Sequence, residues 1–216
     1  MTTTDDDLAV PPASPAALAS FPRRTLRAGA HLFRMHRRER PPFWFASAPP
    51  RGGGRYDLPT PHGACYLAAQ PEAAFLETLA RRPVRIVATE HVEKYRMADA
   101  PLPRDLEAAN LPVSRARAFG LTAEVYTTPN YARTRAWARA FHAAGLKAIL
   151  AIPRHDVSAR LRTVTLLDAA GEHPPFGWRW TVTSTPVPGA LLERLAAWGI
   201  SVVPIPDEVP TVPPTL

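Results

Sequence analysis

Residues 64–79, ACYLAAQPEAAFLETL, decide the fold class, because they join a short apolar strand to an amphipathic helix. The segment 64–69 is short and apolar, as in a buried strand. Pro71 predicts the first turn of a helix that ends at Pro83. The apolar positions of this helix lie on one side and are Ala73, Phe75, Leu76, Leu79 and Ala80. A strand that leads directly into a helix predicts a mixed α and β fold.

The rest of the pattern adds strands and helices without a regular βαβ alternation. A turn followed by a short strand is predicted within 25–34, and further strands are predicted at 84–89, 147–152, 162–167, 178–183 and 200–205. Helices are predicted at 130–144, between Asn130 and Gly145, at 188–198, and at 114–119 within the weakly patterned stretch 98–128. The predicted fold class is α+β, a single domain with small, mostly antiparallel sheets flanked by helices.

The two ends of the chain differ from this body in composition. Residues 1–21 are rich in Pro, Ala, Thr and Asp and predict a disordered leader, whereas 207–216 form a Pro-rich tail, so the domain is expected to span 22–206. The chain begins without a signal-peptide pattern, no apolar run has the length of a membrane span, and Cys65 is the single cysteine. We therefore expect a cytoplasmic protein without disulfides and without a membrane partner.

The net charge of +7 favours an anionic partner, whether nucleic acid, a membrane surface or a phosphorylated small molecule. The predicted helix at 130–144 carries Arg133, Arg135 and Arg139, but its Trp137 and Phe141 form an apolar face. We expect that face to pack on the sheet with the arginines in solvent. Nucleic-acid binding then rests on charge alone and is disfavoured. No metal site is expected, because the seven histidines show no paired-ligand spacing.

Four short motifs follow one another in the first half of the chain. Arg34 stands in LFRMHR, Arg55 in GGGRYDLP, Tyr66 in CYLA and Glu77 in EAAFLETL, at intervals of 21, 11 and 11 residues. Arg55 lies in the long irregular stretch 40–62, and loops of that length in a compact domain are often functional. Each motif is weak alone, whereas four in this order and at these intervals form a specific signal.

Together with the later block WARAFHAAGLKAILAIPRHD at 137–156, these motifs resemble the RES domain, a family named for a conserved Arg, Glu and Ser. The likeness covers about residues 25–205. The resemblance implies a fold like the ADP-ribosyltransferase scaffold and an NAD-degrading activity that cleaves the nicotinamide–ribose bond. Water or inorganic phosphate would be the acceptor, which makes the activity an NAD glycohydrolase or an NAD phosphorylase. NAD would be a substrate, and no cofactor is expected.

The resemblance also implies a biological setting and a division of roles. The chain would be the toxin of a toxin–antitoxin pair, with an Xre-type antitoxin as its partner and a homodimer as a compatible assembly. Glu77, Arg34 and Arg55 are the predicted catalytic residues. The predicted substrate-binding residues are Tyr66, Tyr56, Gly54, His36, Arg154 and His155.

Elementary chemistry agrees with these roles but leaves alternatives open. A carboxylate stabilises the oxocarbenium-like centre that forms when an N-glycosidic bond breaks. Glu77 lies about 40° around the helix from Ala73, at the edge of the apolar side, where it can reach a cleft or simply pair with Arg81. Arginine forks suit a diphosphate. Tyr66 offers a ring for nicotinamide or a hydroxyl for ribose, and it is equally compatible with a core aromatic.

One departure from the family pattern bears on activity. The family serine falls at Pro153, and proline has neither a hydroxyl nor an N–H. Ser158 lies five residues further on. This leaves a catalytically degenerate NAD-binding or interaction module as one alternative, and an ADP-ribosyltransferase that acts on a macromolecule as another.

Overall fold

The computed structural model describes residues 8–49, 52–80 and 85–205. The strand and helix predicted on either side of Pro71 are both present, as β3 (His62–Ala68) and α1 (Pro71–Leu79). Pro71 occupies the first turn of α1, where a missing N–H costs no hydrogen bond. The helix buries Ala73 and Phe75, so its apolar side faces the core as predicted. Pro83, the predicted end of this helix, lies outside the described residues.

In the described part of the chain, eight strands form one large sheet and two form a small one. The large sheet has the order β1-β6-β7-β8-β3-β2-β5-β9; β6 and β7 run parallel, and the other neighbouring pairs are antiparallel. β4 and β10 pair in parallel in the small sheet. Besides β3, the strands are β1 (Arg23–Leu26), β2 (His31–Arg37), β4 (Ile86–Ala88), β5 (Tyr95–Pro101), β6 (Leu106–Asn110), β7 (Ala148–Ala151), β8 (Thr163–Ala169), β9 (Thr183–Thr185) and β10 (Ser201–Val203).

The helices frame this sheet. Besides α1 they are α2 (Thr89–Val92), α3 (Glu124–Thr127), α4 (Tyr131–Ala143) and α5 (Gly189–Ala197), with 3₁₀ turns at Pro15–Leu18, Ser114–Phe119 and Pro175–Gly177. The helices predicted at 130–144 and 188–198 are thereby confirmed. Gly145 follows α4 with a φ of 79°, in the left-handed region that ends many helices.

The two faces of the large sheet pack against different material. On one face, which we call the helix face, Ala64 and Ile149 lie in one apolar cluster with Trp137 of α4, and Ala68 lies in another with Phe75 of α1. On the other, the aromatic face, Cys65 and the neighbouring strand residues pack against irregular segments rich in aromatic rings. These rings include Phe43, Phe45, Phe176, Trp178 and Trp180. Adjacent residues of a strand point to opposite faces, so Cys65 and Tyr66 of β3 lie on the aromatic and helix faces respectively.

The α+β class and the mostly antiparallel pairing are confirmed, but the prediction of small sheets is wrong. Two strands that the sequence pattern did not predict make the difference. β6 connects β1 to β7, and β5 connects β2 to β9, so what would have been separate groups of strands become one sheet. The strand predicted at 178–183 is also wrong, since β9 begins only at Thr183. The preceding tryptophans instead lie across the aromatic face.

The prediction of a disordered leader over 1–21 is wrong for residues 8–21. Leu8, Leu18 and Phe21 are buried in the same apolar cluster as Trp137 and Phe141. The Phe21 ring lies 4.7 Å from that of Phe141, measured between centroids. Sparse apolar residues in a proline-rich segment are therefore enough to fix it when a large aromatic surface is available. Residues 1–7 and the predicted tail 207–216 lie outside the described residues.

No helix within the described ranges is long and apolar enough to cross a membrane.

Candidate active site

A cavity of about 200 Å³ opens on the helix face. Residues of β2, β3 and β8 form its floor, and α1, the loop at 53–56, the tyrosines near α3 and α4, and the loop after β7 form its walls. Eight of the nine predicted site residues line it: Arg34, Gly54, Arg55, Tyr56, Tyr66, Glu77, Arg154 and His155. The structure thus gathers residues that are far apart in sequence around one opening.

The glycine-rich loop is tied to the cavity floor through Asp57. This carboxylate is 2% exposed, accepts the Gly54 N–H at 2.5 Å through Oδ2, and accepts the Tyr66 hydroxyl at 2.7 Å through Oδ1. The Tyr66 oxygen in turn accepts the N–H of Tyr56 at 2.9 Å. These contacts hold loop and strand together before any ligand arrives.

Gly54 is required by this packing rather than by backbone freedom. A Cβ at that position would collide with the Tyr66 hydroxyl and lie 2.6 Å from Asp57 Oδ1. Only a residue without a side chain lets the loop approach the tyrosine so closely. Gly54 was predicted to bind substrate, and the structure shows instead that it allows the close approach of Tyr66.

The two tyrosine hydroxyls are occupied by the protein itself. Burial, followed by the charge of Asp57, holds the pKa of Tyr66 well above its usual value, so the phenol stays protonated and donates to that carboxylate. The Tyr56 hydroxyl donates to the Val125 carbonyl at 3.0 Å. Of the two roles predicted for Tyr66, the geometry favours a ring face for the ligand over a ribose-binding hydroxyl.

Arg55 is held at the cavity wall by the segment between α3 and α4. Its guanidinium donates to the Thr128 carbonyl at 2.7 Å and lies 4.8 Å from the centre of the Tyr131 ring. Its own carbonyl accepts the Thr134 hydroxyl at 2.6 Å. Stacking and one carbonyl bond orient the fork while leaving other N–H groups of the guanidinium for an anion.

Glu77 reaches the loop that follows β7. Its Oε1 accepts the backbone N–H of Arg154 at 3.2 Å. The side chain is half-buried, as expected for a residue at the edge of the apolar side of α1. The alternative partner considered from sequence, Arg81, lies outside the described residues.

The same loop contains Pro153, the residue at the family serine position. Pro153 is buried, and Ser158 is exposed, donates to Asp156 Oδ1 at 2.5 Å and is not among the residues that line the cavity. Although partial burial alone would raise it, hydrogen bonds from Ser158, Leu161 and Arg160 hold the pKa of Asp156 below its usual value. Ser158 therefore stabilises the turn and does not replace the missing serine.

Arg34 borders the cavity, but its guanidinium lies elsewhere. It donates to Cys65 Sγ and, at 3.3 Å, to the Trp44 carbonyl. Cys65 belongs to the aromatic face, so the Arg34 guanidinium lies across the sheet from the Tyr66 ring. The predicted contact of Arg34 with a substrate phosphate has no support in this arrangement.

His36 is the predicted site residue that does not line the cavity. It is buried beside Arg34 on the aromatic face, where its Nδ1 donates to the carbonyls of Arg37 and Arg40 at 3.0 and 2.8 Å and its Nε2 lies 2.7 Å from Ser184 Oγ. Burial, together with the Arg34 and Arg96 charges, holds the pKa of His36 below its usual value. The His36 ring is therefore held by protein atoms on the aromatic face, which disagrees with the prediction that it binds substrate.

Sequence reasoning missed several residues that line the cavity, namely Tyr126, Tyr131, Thr163 and Thr165. The threonines could have been found, because alternation along 162–167 places them on one face of a strand. Arg135 was placed in solvent, yet it donates to the carbonyls of Gly52 and Gly54 and so ties α4 to the glycine loop. Within the described ranges, no group of three or more metal-ligating side chains comes together.

Comparison with known proteins bears on the fold and on the family. A search of curated proteins finds no match. Among solved structures, the chain is similar to one described as the crystal structure of the M. tuberculosis MbcT-MbcA toxin-antitoxin complex. The TM-score is 0.59 at 20% sequence identity, and the match covers 80% of this chain and 92% of that chain. The RES domain matches residues 31–170, which is more than half of the chain and includes β2, α1 and most of the cavity wall. The chain therefore belongs to the RES domain family.

Proposed function

We propose that this RES domain degrades NAD by cleaving its nicotinamide–ribose bond, with water or inorganic phosphate as the acceptor. The observation that supports this most strongly is the convergence of Glu77, Arg55, Arg154 and the Tyr66 ring on one cavity. An acid, two guanidinium groups and an aromatic face are the groups that a dinucleotide glycosidic reaction needs.

Glu77 supplies the electrostatic part of the reaction. When the bond from ribose to the nicotinamide nitrogen breaks, its electron pair leaves with nicotinamide, which becomes neutral, and positive charge develops on the ribose. A carboxylate beside that carbon stabilises the charge. The acceptor oxygen then forms the new bond to the same carbon, and water, when it is the acceptor, releases one proton. Because Arg154 N–H holds Glu77 Oε1, the carboxylate is oriented before the charge appears.

The arginines bind the phosphates outside the enclosed part of the cavity. Sites for drug-sized ligands are usually about 300–1,000 Å³, so a cavity of about 200 Å³ suits one half of a dinucleotide rather than the whole. Arg154 is exposed at the wall. Arg55 uses one nitrogen of its guanidinium to bind the Thr128 carbonyl, and its other N–H groups can bind a phosphate. Charge-assisted bonds from these two forks would hold the diphosphate while the nicotinamide riboside end enters.

The experiment is a time course of nicotinamide release from NAD by the purified protein, with and without inorganic phosphate. Glu77→Gln keeps the size of the side chain and removes its charge, and we expect it to lower kcat by roughly 10²–10³-fold. Glu107→Gln is the matched control, because Glu107 is exposed and pairs with Arg23 on β1. We expect the control to retain wild-type activity.

A second candidate follows from Pro153. A buried proline offers no hydroxyl at this position, which favours a module that binds NAD without consuming it. Binding of NAD without any nicotinamide release by the wild type would support that candidate and refute the proposed enzyme. Transfer of label from NAD to protein or nucleic acid would instead indicate an ADP-ribosyltransferase.

We further propose that the chain acts as a toxin restrained by an antitoxin, with a homodimer as its assembly. The fold shared with a chain from a toxin–antitoxin complex supports this setting. Expression of the wild type should lower cellular NAD and arrest growth, and Glu77→Gln should abolish both effects. Growth arrest with unchanged NAD would contradict the proposal.

A further inference from the structure

The side chain of Thr165 lies on the floor of the cavity. Thr165 is in β8, pairs with Tyr66 of β3 on one side and with Ile149 of β7 on the other, and shares their face of the sheet. It lines the cavity although the residue is only 1% exposed. Any ligand group that contacts it has therefore left bulk water.

The Thr165 hydroxyl makes no hydrogen bond within the described part of the chain. No fully buried side-chain oxygen or nitrogen of the described residues lacks a partner, so this hydroxyl must open onto accessible space. The only such space that Thr165 is shown to border, within the described ranges, is the cavity. A nearly buried hydroxyl without a protein partner is costly unless water or a ligand satisfies it.

The surroundings of Thr165 suit the uncharged end of a substrate. The ring of Tyr66 lies across the strand pair, and Met35, Ala68 and Ala73 add apolar surface to the same cavity. The Tyr66 hydroxyl is already bonded to Asp57 and cannot donate elsewhere. Thr165 is therefore the nearly buried hydroxyl of the floor that remains able both to donate and to accept. Thr163, two residues before it on the same face of β8, is more exposed.

We propose that the Thr165 hydroxyl binds the carboxamide of nicotinamide, with the pyridine ring against Tyr66. This inference rests on the proposed function, because it assigns the pocket for the leaving group of that reaction. A carboxamide carries one acceptor and two donors next to a flat ring, which a hydroxyl beside an aromatic side chain matches. Thr165 would thus be a substrate-binding residue that the family motifs do not include.

The test compares Thr165→Val, which keeps the shape and removes the hydroxyl, with Thr165→Ser, which keeps the hydroxyl. We expect Thr165→Val to lower kcat/KM for NAD and to weaken inhibition by free nicotinamide, each by roughly three- to tenfold, while Thr165→Ser stays within about twofold of wild type. Thr185→Val, on the exposed edge strand β9, is the control for a Thr-to-Val change away from the cavity. Thermal unfolding of all variants checks that packing is unchanged.

The outcomes separate this inference from the proposed function. If the wild type consumes NAD and Thr165→Val has the same kcat/KM, the role of Thr165 is overturned and the enzyme assignment stands. Weaker NAD turnover with unchanged nicotinamide inhibition would overturn the carboxamide contact. If the wild type does not consume NAD, calorimetric titration with nicotinamide decides the matter: binding weakened by Thr165→Val supports the contact, and absence of binding to the wild type overturns it.

Discussion

The helix face and the aromatic face are formed by the same strands, but their polar side chains differ in hydrogen bonding. On the helix face, the Thr165 hydroxyl is left without a partner among the described residues, beside a cavity. On the aromatic face, Arg34 and His36 are bonded to protein atoms, including the carbonyls of Trp44 and Arg40. A polar residue in a strand thus belongs to a binding site only when its face has been left open, and one step along the strand decides which face it occupies.

The largest effect that can test this difference comes from replacing Arg55 and Arg34 by methionine, one at a time. Arg55→Met removes a charged donor from the cavity wall, and we expect kcat/KM for the proposed NAD turnover to fall by roughly ten- to a hundredfold. The free energy of unfolding should also fall, by about 1–2 kcal/mol, because the bond to the Thr128 carbonyl is lost. Arg34→Met should change kcat/KM by no more than about threefold and should instead lower the free energy of unfolding by about 1–3 kcal/mol. Kinetics and denaturant unfolding measure both quantities.

The reverse pattern would break the comparison. If Arg34→Met weakens turnover as strongly as Arg55→Met and leaves stability unchanged, the Arg34 guanidinium acts in the cavity during the reaction. Its bond to Cys65 would then have to break during the reaction.

Gly54→Ala tests how tightly the open face is built. The added methyl group must displace Tyr66 or Asp57, so we expect the free energy of unfolding to drop by about 1–3 kcal/mol and the proposed NAD turnover to fall with it. Gly189→Ala is the matched control, because Gly189, like Gly54, does not have a positive φ, and a Cβ added there would meet no atom within 4 Å. Equal stability of Gly54→Ala and wild type would show that the loop is not locked to Tyr66.

A smaller effect concerns pH and the packed face. His36 has a lowered pKa in the folded protein, so the unfolded chain binds its proton more readily and stability is lost as pH falls below the ordinary histidine value of about 6.5. His36→Asn cannot titrate, and its melting temperature should fall less between about pH 7 and pH 5 than that of the wild type. His142, whose pKa is also lowered by burial, keeps a residual slope in both proteins. Parallel curves would mean that His36 is not buried as described.

The smallest expected effect lies at the edge of the sheet. Arg23 and Glu107 form an exposed ion pair at 3.0 Å between β1 and β6. Arg23→Gln should change the free energy of unfolding by less than about 1 kcal/mol and leave activity unaltered, because exposed pairs are screened. A larger loss would show that β1 depends on this pair.

The sequence predicted the fold where local pattern and tertiary structure agree, as in the strand and helix around Pro71 and in α4. It failed at β5 and β6, where alanine and polar residues interrupt the apolar pattern and neighbouring strands supply the pairing. It also failed at Trp178 and Trp180, whose rings suggested a strand but pack on the aromatic face without forming one. The free energy of pairing with a strand distant in sequence cannot be predicted from a short window of residues.

For the site, motif order identified which residues gather but not how each is oriented. Phe33 pairs with Ala68, and this register turns Phe33 toward the helix face and its neighbour Arg34 away from it. The register depends on the two strands together and could not be obtained from either one. Asp57 lies within the motif around Arg55 and Thr165 lies outside the motifs, and both were missed because their importance comes from their positions next to Tyr66 in the folded chain.

The segment before β1 has a practical consequence for handling the protein. The indole N–H of Trp137 donates to the Ala9 carbonyl at 2.8 Å, and Phe21 covers the neighbouring rings. The proline-rich composition of this segment suggests a truncated chain that starts at residue 22. That truncation would expose an apolar groove along α4 and remove the acceptor of the indole N–H. The truncated protein should therefore aggregate or be cleaved by proteases. Its lack of activity would not test the proposed turnover of NAD.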